Sequence, residues 1–229
     1  MTKISKRMKD VYTLVDKEKK YSIEDAIDVI KKSSKVKFNE TVEMVFNLNV
    51  DPRKADQMIR GVVTLPHGTG KKVRIMVFAN EASEKEALEA GADYAGFKEY
   101  YDKIKGGWLD FDVLIVTPDL MREVGKLGKI LGPKGLMPSP KSGTVTKDVK
   151  NAVLEIKKGK IEYRVDKLGN IAIGIGKVSF DSAQIADNVK VIADAISKAK
   201  PATVKGEYMK GVTLSSTMGP GVSLDFKNI

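Results

Sequence analysis

Two Gly- and Lys-rich tracts, Leu65-Pro66-His67-Gly68-Thr69-Gly70-Lys71-Lys72 and Lys157-Lys158-Gly159-Lys160, bracket a stretch whose hydrophobic pattern differs from what lies on either side. They read as the two crossings into and out of an inserted domain. The expected division is residues 1–67 with 160–229 as one discontinuous domain, and 68–159 as the insert. Residues near position 38 then share a surface with residues near position 218, and that surface is the expected place of function.

The ends alternate. From Thr41 to Val50, the residues Val42, Met44, Phe46, Leu48 and Val50 are spaced by Glu43, Asn47 and Asn49, so one face of a strand is buried and the other wet. Ser22 starts a helix with Asp25 three residues on and Ile23, Ala26, Ile27 and Ile30 along one face. Asp51-Pro52 suits a cap and first turn, predicting a short helix to Arg60-Gly61. Ile161–Val165, a turn at Asp166–Gly169 and Asn170–Ile175 predict a hairpin. Asp181 caps a long helix to about Lys200 with Ile185, Val189, Ile192 and Ile196 inward, and a last strand covers about 205–214. Antiparallel strands with two packed helices make this domain α+β. The stretch up to Lys20 is charge-rich and poorly patterned, an arm or a frayed helix.

The middle differs. Val73–Ala79 and Phe111–Val116 are short apolar runs separated by a helix near Ser83–Ala90, and helices follow near 118–127 and 147–157, with a looped tract from Gly128 to Gly143 between them. Such strands are buried on both faces, which implies a parallel sheet with helices on each side. The fold class overall is α/β.

Lys and Arg outnumber Asp and Glu by 40 to 30, which makes a polyanion the leading class of partner. Residues 1–67 carry 14 basic and 10 acidic side chains, 160–229 carry 10 and 7, and 68–159 carry 16 and 13, so a polyanion is expected to meet the terminal halves first. With no Cys and one His, thiolate metal sites and cysteine nucleophiles are excluded and imidazole chemistry has little scope. No apolar core of signal-peptide length follows the basic segment Met1 to Asp10, and the apolar runs are too short to span a bilayer. A soluble cytoplasmic protein without a membrane partner is expected.

Motifs that would carry a reaction are missing. Gly128-Lys129-Ile130-Leu131-Gly132-Pro133-Lys134-Gly135 suggests a phosphate cradle, yet no G-x-x-x-x-G-K-[ST] occurs, nor a G-x-G-x-x-G after a strand, so the tract is a stiff basic loop. His67 has no carboxylate beside it in sequence, and Asp110 with Asp112 suit solvated carboxylates at a strand start. No catalytic residue, metal or cofactor is expected. Lys35-Val36-Lys37-Phe38 interleaves cations with an aromatic just before the amphipathic strand, and Ser216-Thr217-Met218-Gly219 offers hydroxyls, a flexible apolar side chain and a close backbone approach.

These residues in order resemble the L-one family of large-subunit ribosomal proteins, of the bacterial type. The resemblance runs through Phe38-Asn39-Glu40-Thr41, Asp51-Pro52-Arg53-Lys54 with Asp56-Gln57, Leu65-Pro66-His67-Gly68-Thr69-Gly70, Ala90-Gly91-Ala92-Asp93, Phe111-Asp112, Leu131-Gly132-Pro133-Lys134-Gly135-Leu136-Met137-Pro138 and Ser216-Thr217-Met218-Gly219. It implies a discontinuous RNA-binding domain, an inserted Rossmann-like domain, and a hinge at Pro66, His67, Gly68 and Gly159. It also implies binding to the side stalk of ribosomal RNA, help in releasing deacylated tRNA from the exit site, and repression through the protein's own messenger leader, by a chain that is monomeric off the ribosome. The implied RNA face comprises Lys35, Lys37, Phe38, Glu40, Thr41, Ser216, Thr217, Met218 and Gly219, with Arg164, Asp166 and Lys167 beside it. Many bacterial relatives carry Asn and His where this chain has Val165 and Ala172, which weakens the case for those last three. Two rivals remain at this point: a nucleotide-dependent enzyme using the insert's sheet, and a general RNA chaperone.

Overall fold

A computed structural model describes residues 5–226 apart from Lys17. Met1 to Ile4, the start of the expected basic arm, lie outside the described residues. The chain divides into two compact units, residues 1–70 with 162–229, and 71–161. In chain order the first unit begins with α1 (Lys6–Tyr12), α2 (Ile23–Ser33), β1 (Thr41–Leu48) and β2 (Arg60–Thr64). The insert holds β3 (Ile75–Phe78), α3 (Glu81–Glu89), β4 (Tyr94–Ala95), α4 (Lys98–Lys105), β5 (Val113–Val116), α5 (Met121–Lys126), α6 (Gly128–Leu131) and α7 (Val149–Lys157). The return carries β6 (Lys160–Arg164), β7 (Asn170–Lys177), α8 (Ser182–Lys198), β8 (Met209–Ser216) and β9 (Val222–Ser223).

The terminal unit is built on an antiparallel sheet in the order β7-β1-β8-β9. Val42, Met44, Phe46 and Leu48 are buried, and so are Ile171, Ile173 and Ile175 of β7 and Val212 and Leu214 of β8. Helices α2 and α8 pack on each other, α2 against β8 and α8 against β7. Ser22 accepts the amide of Asp25 to start α2, and at the head of α8 the Gln184 side chain accepts the amide of Asp181. Ala26, Ile27 and Ile30 of α2 and Ile185, Val189, Ile192 and Ile196 of α8 fill the inner side. Among the described residues no helix of this unit packs against the other face of the sheet.

The insert's sheet is parallel, in the order β4-β3-β5. All four residues of β3 are buried. Ile75 and Val77 join Ala87, Ala92, Val149, Val153 and Ile156 on one side, and Met76 and Phe78 join Ile104, Val124, Leu127 and Leu131 on the other. Helices therefore cover both faces, as the apolar runs imply.

The structure changes several expectations. No helix runs from Pro52 to Gly61. Asp51 accepts the amides of Arg53 through its side chain and of Lys54 through its carbonyl, a single 3-10 turn covers Ala55–Gln57, and β2 follows. Before Met58 the segment's apolar side chains are only the small ones of Pro52 and Ala55, so a helix there would have no large apolar face to bury. The expected hairpin also separates: β6 pairs with β2 and β7 pairs with β1, although the turn between them closes with Asp166 N–H donating to Asn170 O at 2.8 Å. The last strand starts later than expected, because Gly206 adopts a φ of 80° just before it. The looped tract 128–143 contains α6 and a 3-10 turn at Pro140–Ser142, β4, α4 and β9 are additional, and the opening stretch forms α1, capped by Ser5 with Val11 buried.

Candidate nucleic-acid interface

Strands β1 and β8 run antiparallel with Val42 opposite Ser216, so the residues before Thr41 and after Ser216 emerge side by side. The Thr217 amide donates to Thr41 O at 3.1 Å, and the Thr41 amide donates to the Thr217 hydroxyl at 3.1 Å. One residue further on each side, the Met218 amide donates to Glu40 Oε2 at 2.8 Å. Ser34 donates to the other oxygen of that carboxylate, and Arg7 donates to Met218 O at 3.0 Å. Gly219 closes the loop by donating to Ser216 O at 3.0 Å, and a Cβ there would stand 2.4 Å from the Ser216 hydroxyl. Only glycine fits that position without a shift.

The sequence-predicted residues fall into layers. Lys35, Lys37, Phe38, Thr217 and Met218 are exposed, Phe38 at 52% and Met218 at 45%, while Glu40 and Ser216 lie buried beneath them. Glu40 is thus a positioning residue with 1% of its surface exposed, not a side chain that meets solvent. Burial works to raise its pKa. Hydrogen bonds from Ser34 and the Met218 amide, with the charge of Arg7, outweigh that and hold the carboxyl below its ordinary value. Thr41 is half-buried, and Lys177 of β7, its register partner, donates to its hydroxyl at 2.8 Å.

Arg164, Asp166 and Lys167 are not part of this cluster. They lie at the β6–β7 turn, and β7 pairs Lys177 with Thr41 at one end and Asn170 with Asn47 at the other. Six strand residues at about 3.3 Å each put roughly 20 Å between the two places. Asp166 accepts the amides of Asn170 and Leu168, both at 2.8 Å, and the bond from Asn170 leads in holding its pKa below the ordinary value. Its carboxylate is therefore occupied in shaping the turn. Between the two ends lies the uncovered face of the sheet, with a shallow groove lined by Val45, Asn47, Asn170, Lys210, Gly211 and Thr213. Val165 is buried, while Ala172 is exposed on this face opposite Val45. Arg7, Lys177 and Lys210 have no local signal in the sequence, because strand register and the path of α1 bring them here.

The expected hinge residues divide as well. His67 donates its amide to Asn188 Oδ1 at 3.3 Å, and Asn188 donates to Gly68 O at 3.0 Å. His67 Nε2 lies 3.2 Å from Asp187 Oδ2, a carboxylate partner supplied by α8 that local sequence does not reveal. Pro66, His67 and Gly68 are therefore fastened to the terminal unit. Positive φ angles occur at Gly68 (63°), Gly70 (69°) and Gly159 (101°).

The family model described as the ribosomal protein L1p/L10e family matches residues 30–220. The chain belongs to this family. The match spans the insert and every candidate RNA residue from Lys35 to Gly219, and it leaves Arg7 outside. L1p/L10e proteins are structural, RNA-binding members of the large ribosomal subunit and not enzymes, so the chain is a ribosome-associated, cytoplasmic, RNA-binding protein. Among the described residues no helix is long and apolar enough to cross a membrane.

Proposed function

We propose that the terminal unit grips the side stalk of large-subunit ribosomal RNA through the platform at Lys35, Lys37, Phe38, Thr41, Thr217, Met218 and Gly219. The observation that carries this is the pair of bonds joining Thr41 to Thr217 and Glu40 to Met218, which fix residues far apart in sequence into one rigid surface. Folded RNA is recognised through phosphates, 2′-OH groups and unstacked bases more than through a deep groove. Thr217 and Gly219 set register on the sugar–phosphate backbone, Met218 and Phe38 supply apolar contact, and the lysines supply the salt-sensitive share. Arg164, Asp166 and Lys167 extend the contact along the open face.

On this reading the same face binds the protein's own messenger leader and represses its translation. The protein, a monomer off the ribosome, moves with the stalk to help deacylated tRNA leave the exit site. Glycines at both crossings, Gly70 and Gly159, let the two units reorient. In gel-shift titration, Thr217→Ala and Met218→Asp weaken binding to stalk RNA by about 1–3 kcal/mol in a chain that still folds. Unchanged affinity in folded variants rejects the platform. A messenger leader that fails to compete with stalk RNA for the protein rejects the repressor role. An unaltered rate of deacylated-tRNA release from ribosomes lacking the protein rejects the exit-site role.

A further inference from the structure

Charge on the insert is not spread evenly. Between Glu123 and Asp148 there is no acidic residue, and five lysines stand at 126, 129, 134, 141 and 147. These are five of the insert's 16 basic residues, which leaves 11 against 13 acidic ones, so the insert's whole positive excess sits in this ribbon. Counting the insert as a single block hides it.

The fold turns these cations outward. Val124, Leu127 and Leu131 are buried at helical spacing in one core cluster, with Leu136 and Met137 packed against it, so Arg122, Lys126 and Lys129 fall on the exposed side. The turn that follows is pinned by the Leu136 amide donating to Leu131 O at 3.0 Å, which leaves Gly132 to Gly135 exposed with Lys134 among them. Lys141 is exposed on the next turn. Elsewhere on the insert Lys71 and Arg74 pair with Asp112 and Lys103 with Glu99, and within the ribbon Lys126 pairs with Glu123. Among the described residues no ion pair is found for Lys129, Lys134 or Lys141. The ribbon is open at Gly125, Gly128 and Gly135, where an added Cβ would have no atom within 4 Å, and Lys160 Nζ, another cation, approaches it at Gly143.

The ribbon also contributes none of the exposed large apolar side chains, which are Tyr12, Leu14, Phe38, Met58, Leu88, Leu154, Leu168 and Met218. A protein interface needs a buried apolar or aromatic anchor, and base recognition needs a stacking surface. Flexible lysines without either suit phosphates. We propose that residues 122–147 form a second RNA-contacting surface that holds the phosphate backbone of folded RNA through Lys129, Lys134 and Lys141, without sequence preference. This surface is independent of the platform on the terminal unit, and the two can fail separately.

The test uses the full chain and a 20-base-pair RNA duplex of arbitrary sequence, titrated between 50 and 200 mM salt. Lys129→Glu/Lys134→Glu/Lys141→Glu is compared with Lys85→Glu/Lys98→Glu/Lys105→Glu, which makes the same charge change on exposed lysines of the same unit, after both are shown to melt like the parent. The ribbon variant is expected to lose about tenfold or more in affinity at 100 mM salt, with a shallower salt dependence, and the control less than about threefold. Equal losses in both variants, or no loss in the ribbon variant, overturn the proposal. So does crosslinking of the ribbon only to protein in assembled large subunits, which would assign these lysines to an acidic protein.

Discussion

The two sheets of this molecule bury their strands differently. In the terminal unit β1 alternates, with Val42, Met44, Phe46 and Leu48 inward and Thr41, Glu43, Val45 and Asn47 on the uncovered face. In the insert all of β3 is buried between two layers of helices. A sheet covered on one side keeps a rigid, pleated surface for a partner, whereas one covered on both sides has only its loops to offer. The two proposed RNA contacts follow this difference, a sheet end and open face in one unit and a basic ribbon beyond a strand in the other.

The sharpest way to break this comparison is to place a charge on each sheet. Val77→Asp puts a carboxylate between two apolar clusters and should cost about 4 kcal/mol or more, enough to unfold the insert in a denaturant titration. Val45→Asp, on the open face, should change stability by no more than about 1 kcal/mol and show its effect in RNA binding. Equal destabilisation by the two changes would mean that the open face is covered.

Next in size is a pair of phenylalanines. Phe46 is completely buried in β1, and Phe46→Ala should cost about 3–5 kcal/mol of stability. Phe38 is half exposed, and Phe38→Ala should leave stability within about 0.5 kcal/mol while weakening stalk RNA binding by about 1–3 kcal/mol. Parent-like RNA affinity in Phe38→Ala removes that side chain from the platform.

Sequence shows one of these phenylalanines better than the other, and the reason is locality. Phe46 belongs to a run whose period of two states which face it takes, and α2 and α8 carry their caps and inner faces in adjacent residues. What could not be read from sequence depends on distant partners. The segment 161–175 has every local mark of a hairpin, yet β7 is taken by β1 and β6 by β2. Asp51-Pro52 promises a helix that finds no core. In the candidate site, Thr217, Met218 and Gly219 were legible, but the burial of Glu40 and the arrival of Arg7 and Lys177 follow from register and from a contact across most of the chain.

Carboxylates extend the comparison to pH. Asp112, which suits a solvated strand end in sequence, accepts from Lys71 at 2.8 Å and from the Arg74 amide at 3.1 Å. The Lys71 bond leads in bringing its pKa down from 3.8 to about 2. A folded-state pKa below the unfolded one stabilises the charged form. The contribution is therefore nearly complete above about pH 4 and is lost as pH falls through about 2. Asp112→Asn should cost the insert about 1–2 kcal/mol at pH 7 and only a small part of that near pH 2, measured as the difference in denaturant midpoint. A difference as large at pH 2 as at pH 7 would place the effect in packing and not in charge.

Glu40 is the counterpart in the terminal unit and the smallest expected effect. Its pKa is also depressed, so its contribution is present above the unfolded value, 4.5, and fades as pH falls below it. Glu40→Gln keeps an acceptor for the Met218 amide and a partner for the rotatable Ser34 hydroxyl, and loses only the charge that faces Arg7. At pH 7 it should cost about 0.5–1 kcal/mol, and RNA affinity should fall less than in Thr217→Ala because the platform keeps its shape. Glu40→Ala removes the acceptor and leaves the Met218 amide unpaired, so it should lose both stability and RNA binding. If the Gln variant abolishes RNA binding while folding normally, the carboxylate itself meets RNA, and the positioning role assigned to it from its burial is wrong.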